Sequence, residues 1–159
     1  MKIVNSGIVL VLLLLLASCQ NAKTEDNESL DKAIVVNFFE ETYNKGNLQY
    51  VMDFFADDYY EHRPDGARSN QDAVNIIKGA EKTFPDLKVK VEDVIVEGDL
   101  IAVRLTWNAT HKDTFLGIEA TNKNITWEAM EFFRLKDGKI TETWGSWPLY
   151  DMIQLLSDK

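Results

Sequence analysis

The stretch from Leu87 to Trp147 constrains this chain most, because its apolar residues recur every second position over long runs. Ile101, Val103, Leu105, Trp107, Ala109 and His111 fall on one side of an extended chain, while Arg104, Thr106, Asn108 and Thr110 fall on the other. A period of two does not suit a helix, whose apolar stripe recurs every three or four residues. Leu87, Val89 and Val91 alternate in the same way, then the phase slips so that Val94 and Val96 become the apolar positions, which predicts a bulge near Asp93. Glu97-Gly98-Asp99 and Asp137-Gly138 are hairpin turn signals, bounding strands over Leu100–His111, Ile125–Lys136 and Lys139–Trp147, with an irregular connection from Lys112 to Asn124.

What precedes this block reads as its cover. Ser29 is placed to cap a helix with Leu30, Ile34 and Phe38 on one stripe and Val36, Phe39 and Tyr43 beside it, stopped at Asn44-Lys45-Gly46. Asn47 is placed to cap a shorter helix through Val51, Phe54 and Phe55. Asp57–Arg63 reads as extended, with Tyr60 and His62 on the same side, until Pro64-Asp65-Gly66. Ser69 and Asp72 have capping-box spacing ahead of a helix carrying Ala73, Ile76, Ile77, Ala80 and Phe84, which Pro85 ends. Leu149, Met152, Ile153 and Leu156 predict a short closing helix. Helices first and a bent antiparallel meander afterwards make an α+β fold with the helices over one face of the sheet.

The 159 residues suffice for one domain with a sizeable core, at 45% hydrophobic composition. With 17 Lys and Arg against 26 Asp and Glu, and no basic run, nucleic acid is not an expected partner. The first residues read as a targeting segment: Lys2, an apolar run from Ile8 to Ala17 shorter than the roughly 20 residues of a span, and small residues leading to Cys19. Leu16-Ala17-Ser18-Cys19 resembles the bacterial lipobox, which implies a signal peptide over 1–18, a lipid on Cys19 and a membrane anchor. The polar stretch that follows implies a flexible tether over 19–28 and a folded domain over 29–159. Gln20 is not the aspartate associated with inner-membrane retention. The address implied is the bacterial cell envelope, with the outer membrane favoured in a Gram-negative cell. An ordinary signal peptide with an incidental thiol is the alternative.

Candidate chemistry is sparse. The two histidines, His62 and His111, have an ordinary pKa of about 6.5 that suits a general base near neutrality, or either is a hydrogen-bonded wall or core residue. Glu131 shares its strand face with Ile125, Trp127, Ala129, Phe133 and Leu135; there it is either a desolvated cavity acid or, if a bulge shifts the face, a solvated group. Asp57 and Asp58 are either pocket carboxylates or turn caps. The histidines lack metal-ligand spacing, and no metal or cofactor is expected. Trp107, Trp127, Trp144 and Trp147 suit a core, or a pocket for an apolar or aromatic molecule.

Phe84-Pro85-Asp86-Leu87, Val91-Glu92-Asp93, Thr110-His111, Phe115-Leu116-Gly117-Ile118, Phe133-Arg134, Asp137-Gly138-Lys139-Ile140 and Glu142-x-Trp144 together resemble the SnoaL-like polyketide cyclase or ester cyclase family of the nuclear transport factor 2-like superfamily. The resemblance runs from about Leu30 to Leu156. It implies a cone of helices on a strongly curved antiparallel sheet, a pocket at the wide end, and acid/base chemistry by a carboxylate without metal or cofactor. It also implies an outer sheet face suited to a homodimer. The family's last strand commonly reads Glu-His-Trp-Asp, with the His and the catalytic Asp directed into the pocket; here it reads Glu142-Thr143-Trp144-Gly145. Neither group is present at those positions. The expectation is a lipid-anchored domain holding a small, largely apolar molecule, with His62, His111 and Glu131 as candidate catalytic groups and Tyr60, Trp107, Trp127, Thr143, Trp144, Gly145 and Trp147 as candidate pocket lining. The alternative is a ligand-binding or protein-interaction lipoprotein without catalysis.

Overall fold

The computed structural model describes residues 28–145 and 147–157. The expected signal segment, Cys19 and nearly all of the tether lie outside the described residues. Helix α1 covers 28–38 and continues without a break as a π-helical segment, Phe39–Asn44. Gly46, at φ +72°, turns the chain into α2, Gln49–Phe54. Asn47 does not cap α2 as its position suggested: its side chain binds Glu41 instead, at 3.4 Å. Leu30, expected on the apolar stripe of α1, is exposed.

Strand β1, Phe55–Glu61, leads to α3, Asn70–Thr83, whose cap is the expected one: the Ser69 hydroxyl accepts the Asp72 N–H at 3.1 Å. The meander β2 (Lys88–Glu97), β3 (Leu100–Thr110), β4 (Asn124–Lys136) and β5 (Lys139–Gly145) follows, then α4, Leu149–Ser157. The sheet order is β1-β5-β4-β3-β2. Four strands are antiparallel neighbours as expected, but β1 joins the edge parallel to β5, so the sheet is mixed. The register slip between Val91 and Asp93 is the expected bulge. At the β4–β5 turn, Asp137 and Gly138 both take positive φ, as a two-residue hairpin turn needs.

Every second residue of β3 is buried from Ile101 to Ala109, and His111 beyond it is fully buried. The concave face they form packs on Val35, Phe38 and Phe39 of the first helix, on Val74 and Ile77 of α3, and on Met152 and Leu156 of α4. Asn44 ties the end of the π-helical segment to β2: its amide donates to the Val89 carbonyl at 2.8 Å and its oxygen accepts the Val89 N–H at 2.9 Å. One side chain thus completes the edge of β2 as a neighbouring backbone would.

Candidate functional site

Because the sheet curves away from α3, its concave face and the helices leave a cavity of about 330 Å³ between them. Its apolar wall includes Phe38, Phe55, Ile77, Phe84, Phe133 and Trp147; its polar groups include Tyr43, Tyr59, Glu61, Arg63, Asp65, Glu131 and Thr143. A small organic molecule fits a space of this size.

Glu131 is the central polar group. Strict alternation along β4 turns it inward between Ala129 and Phe133. Its side chain keeps partial contact with the cavity surface yet lies deep among protein atoms, and among the described residues it makes no hydrogen bond or ion pair. Burial pushes its carboxyl up to about 7, helped by the negative charge of Glu61 and opposed by Arg63. Across the β4–β5 ladder its partner is Gly145. A Cβ at 145 would lie 2.7 Å from both Glu131 Cγ and the Met130 carbonyl oxygen, and Gly145 has φ +140°. Glycine at 145 is therefore what leaves room for the Glu131 side chain.

Two phenols accompany this carboxyl. Tyr43 comes from the π-helical segment, where the widened turn resets the direction of the following side chains. It packs edge-on to Trp107 with ring centroids 4.8 Å apart. The Tyr59 hydroxyl shares a short hydrogen bond with the Thr143 hydroxyl. Burial raises both phenols far above the ordinary range, with the Glu131 charge adding to the effect, so both stay protonated at neutral pH. At the rim, Arg63 Nε lies 3.0 Å from Glu61 Oε1 and 3.6 Å from Asp65 Oδ1. The nearer contact is an ion pair whose angle falls short of a hydrogen bond.

A curved sheet with a carboxyl-bearing cavity beneath α3 matches a known family. The family model described as SnoaL-like polyketide cyclase matches residues 33–158. The chain belongs to this family. Among solved structures, AclR from Streptomyces galilaeus, described as a candidate hydroxylase, is similar at 28% identity and TM-score 0.71, covering 81% of this chain and 96% of its own. A candidate SnoaL-like polyketide cyclase from Jannaschia sp. is similar in fold at 21% identity and TM-score 0.75, covering 83% and 94%. IdmH from Streptomyces antibioticus, a candidate polyketide cyclase, is similar in fold at 24% identity and TM-score 0.72, covering 80% and 99%. Among curated proteins no relative matches the chain.

In this SnoaL-like domain the expected site residues separate into three groups. Glu131, Thr143, Trp144, Gly145 and Trp147 border the cavity. Tyr60 and His62 are on the opposite side of β1, because the buried residues of that strand are Phe55 and Tyr59. His62 Nε2 is 2.7 Å from Glu142 Oε2, its ring stacks on Trp144 at 4.3 Å, and its side chain is 34% exposed. The contact with His62 chiefly, with the nearby Arg134, holds the Glu142 carboxyl below the ordinary range against the opposing effect of burial.

Trp107, Trp127 and His111 form the third group, which is core rather than cavity wall. The two indoles stack 6.3 Å apart, and Trp147 crosses both edge-on. His111 Nδ1 lies 3.1 Å from the Thr121 hydroxyl and accepts the Thr121 N–H at 3.3 Å, while the His111 backbone pairs with Lys123 and Asn122. It therefore pins the β3–β4 connection behind Phe84 and Phe115. Asp57 accepts from Asn70 at 3.1 Å, and neither it nor Asp58 borders the cavity.

Sequence reading missed Tyr43, Tyr59, Glu61 and Arg63. Alternation would have put Tyr59, Glu61 and Arg63 together on one face of β1, but it does not say which face turns inward. Among the described residues no group of three or more His, Cys, Asp or Glu is placed to hold a metal.

Proposed function

We propose that this SnoaL-like domain binds a small, largely apolar molecule in the cone cavity and that Glu131 exchanges a proton with it, without a cofactor. The carrying observation is a carboxyl without a hydrogen bond or ion pair among the described residues, pushed up to about 7, inside an aromatic-walled cavity. Such a group is a base and an acid in comparable amounts near neutral pH. As a carboxylate it removes a proton from a carbon beside a carbonyl. The protonated Tyr43 and Tyr59 hydroxyls are the available donors for the enolate oxygen, and the carboxylic acid returns the proton at the carbon or oxygen that completes a cyclase- or isomerase-type change. Glu131 supplies, from β4, a carboxyl across the strand pair from the place where the family pattern has its Asp.

The test is hydrogen exchange at C1 of 2-tetralone in deuterated buffer. The full chain should accelerate exchange about 100-fold or more over buffer; Glu131→Gln should abolish the acceleration and His62→Ala retain it. A wild type that only matches buffer, while small molecules are retained on the purified chain, would instead establish the binding protein without turnover. That second reading is favoured by the missing carboxyl at Gly145.

The lipobox-like Leu16–Cys19 run supports a further part of the proposal: removal of 1–18, a lipid on Cys19, a tether to residue 28, the SnoaL-like domain over 29–159, and an address on the bacterial cell envelope, the outer membrane if the cell is Gram-negative. Labelled fatty acid should enter the wild type and not Cys19→Ala; equal labelling would exclude the anchor. Exposed Ile95, Met130 and Phe132 on the convex face of the sheet support a homodimer through that face. A monomer mass by light scattering at high concentration would exclude it.

A further inference from the structure

The charged groups of the cavity wall are out of balance. Among the described residues the wall carries the carboxylates of Glu61, Asp65 and Glu131 against one cation, Arg63. Arg63 is committed to Glu61 at 3.0 Å and to Asp65 at 3.6 Å, both on the rim side of the cavity. Glu131 is left deep in the wall with no hydrogen bond or ion pair among the described residues. The same cavity is lined by the rings of Tyr43, Tyr59, Phe84, Phe115, Phe133 and Trp147.

A neutral ligand would leave the desolvated Glu131 uncompensated whenever it ionises. An anionic ligand would face Glu131 and Glu61 together, and could reach Arg63 only by competing with its two carboxylate partners. A cation meets both parts of the wall: its charge pairs with the carboxylate, and its alkyl groups lie against aromatic faces whose quadrupoles attract positive charge.

We infer that the cavity is built for a ligand with a positively charged nitrogen, quaternary or protonated, attached to a compact aromatic or aliphatic body. The inference rests on the cavity being the ligand site proposed above and names the chemical class of what fills it. It also gives Glu131 two states with different affinities. The groups that face Glu131 are Tyr43 from the π-helical segment, Tyr59 and Glu61 from β1, and Arg63 from the loop after it. The phenols stay protonated, and Glu131 is the group that ionises near neutrality. Binding of a fixed cation should therefore tighten as Glu131 loses its proton.

The test compares benzyltrimethylammonium with its uncharged carbon isostere neopentylbenzene and with phenylacetate, by titration calorimetry on the full chain. At pH 8 benzyltrimethylammonium should bind at least about tenfold more tightly than either. Its affinity should rise about tenfold from pH 6 to pH 8, because the ionised fraction of a group near 7 rises by about that factor. Glu131→Gln should remove both effects. Equal or tighter binding of neopentylbenzene or phenylacetate overturns the inference while leaving the cavity as a ligand site. Binding of none of the three overturns the inference, and 2-tetralone exchange then decides separately whether the cavity is a ligand site. The isostere comparison on wild type is decisive even if the variant does not fold.

Discussion

Gly145 and Glu131 face each other across β5 and β4, and the Glu131 side chain occupies the space that a side chain at 145 would fill. The pair explains two departures from the family pattern at once. The last strand carries no acid at position 145, and the neighbouring strand carries one that is directed into the same cavity.

Gly145→Ala should lower stability by about 2–4 kcal/mol, since overpacking against backbone adds to the strain of a non-glycine residue at φ +140°. Shrinking the neighbour should rescue only part of this loss: in a Gly145→Ala, Glu131→Ala double variant the Met130 carbonyl oxygen is still 2.7 Å from the new Cβ position. Urea midpoints measure both. A loss below about 0.5 kcal/mol would mean the β4–β5 ladder yields easily.

Glu131 should make stability fall as pH rises. Its folded-state value, about 7, lies above the ordinary carboxylate value of 4.5, so the native state binds more protons than the unfolded chain between those limits. The contribution is complete below about pH 4.5 and lost as pH climbs through 7. It amounts to about 3 kcal/mol at most. The quantity to follow is the difference between wild type and Glu131→Gln. The variant should gain relative stability from pH 5 to pH 8, and a difference independent of pH would show that Glu131 is solvated.

Asn44→Ala should cost about 2 kcal/mol, the net value of two part-buried hydrogen bonds to Val89. Asn44 also ends the π-helical segment that delivers Tyr43, so the fluorescence of Trp107, in edge contact with Tyr43, should change with it. Amide exchange should speed up at Val89. Unchanged exchange there would place the anchoring of β2 elsewhere.

The two histidines should differ in what their loss costs, since neither borders the cavity and only one is buried. His62→Ala removes a partly exposed contact with Glu142 and should cost under about 1 kcal/mol. His111→Ala empties a fully buried position and frees the Thr121 contacts, and should cost about 2–4 kcal/mol. Thermal melts separate the two. A shift in the pH dependence of ligand binding in His62→Ala would return that histidine to the site.

Much of this architecture was legible in the order of residues. Strands β2 to β5, the bulge beside Asp93, the Ser69 cap and the inward face of β3 follow from local rules, because side-chain period, turn chemistry and capping are set within a few residues. Glu131 could be placed on an apolar face for the same reason.

What local rules could not decide is what that face encloses. Alternation in β1 separates Tyr60 and His62 from Tyr59 and Glu61, but only parallel pairing with β5 decides which pair turns inward. Trp107, Trp127 and His111 lie on the same sheet face as Glu131, yet helices and loops fill the space over the first three and leave a cavity over the fourth. The sequence by itself determined strands β2 to β5, the bulge and the inward residues of β3 and β4. Only the tertiary structure decided where the packing stops short, because a cavity is a property of distances between elements far apart in the chain, and a raised carboxyl pKa follows from those distances.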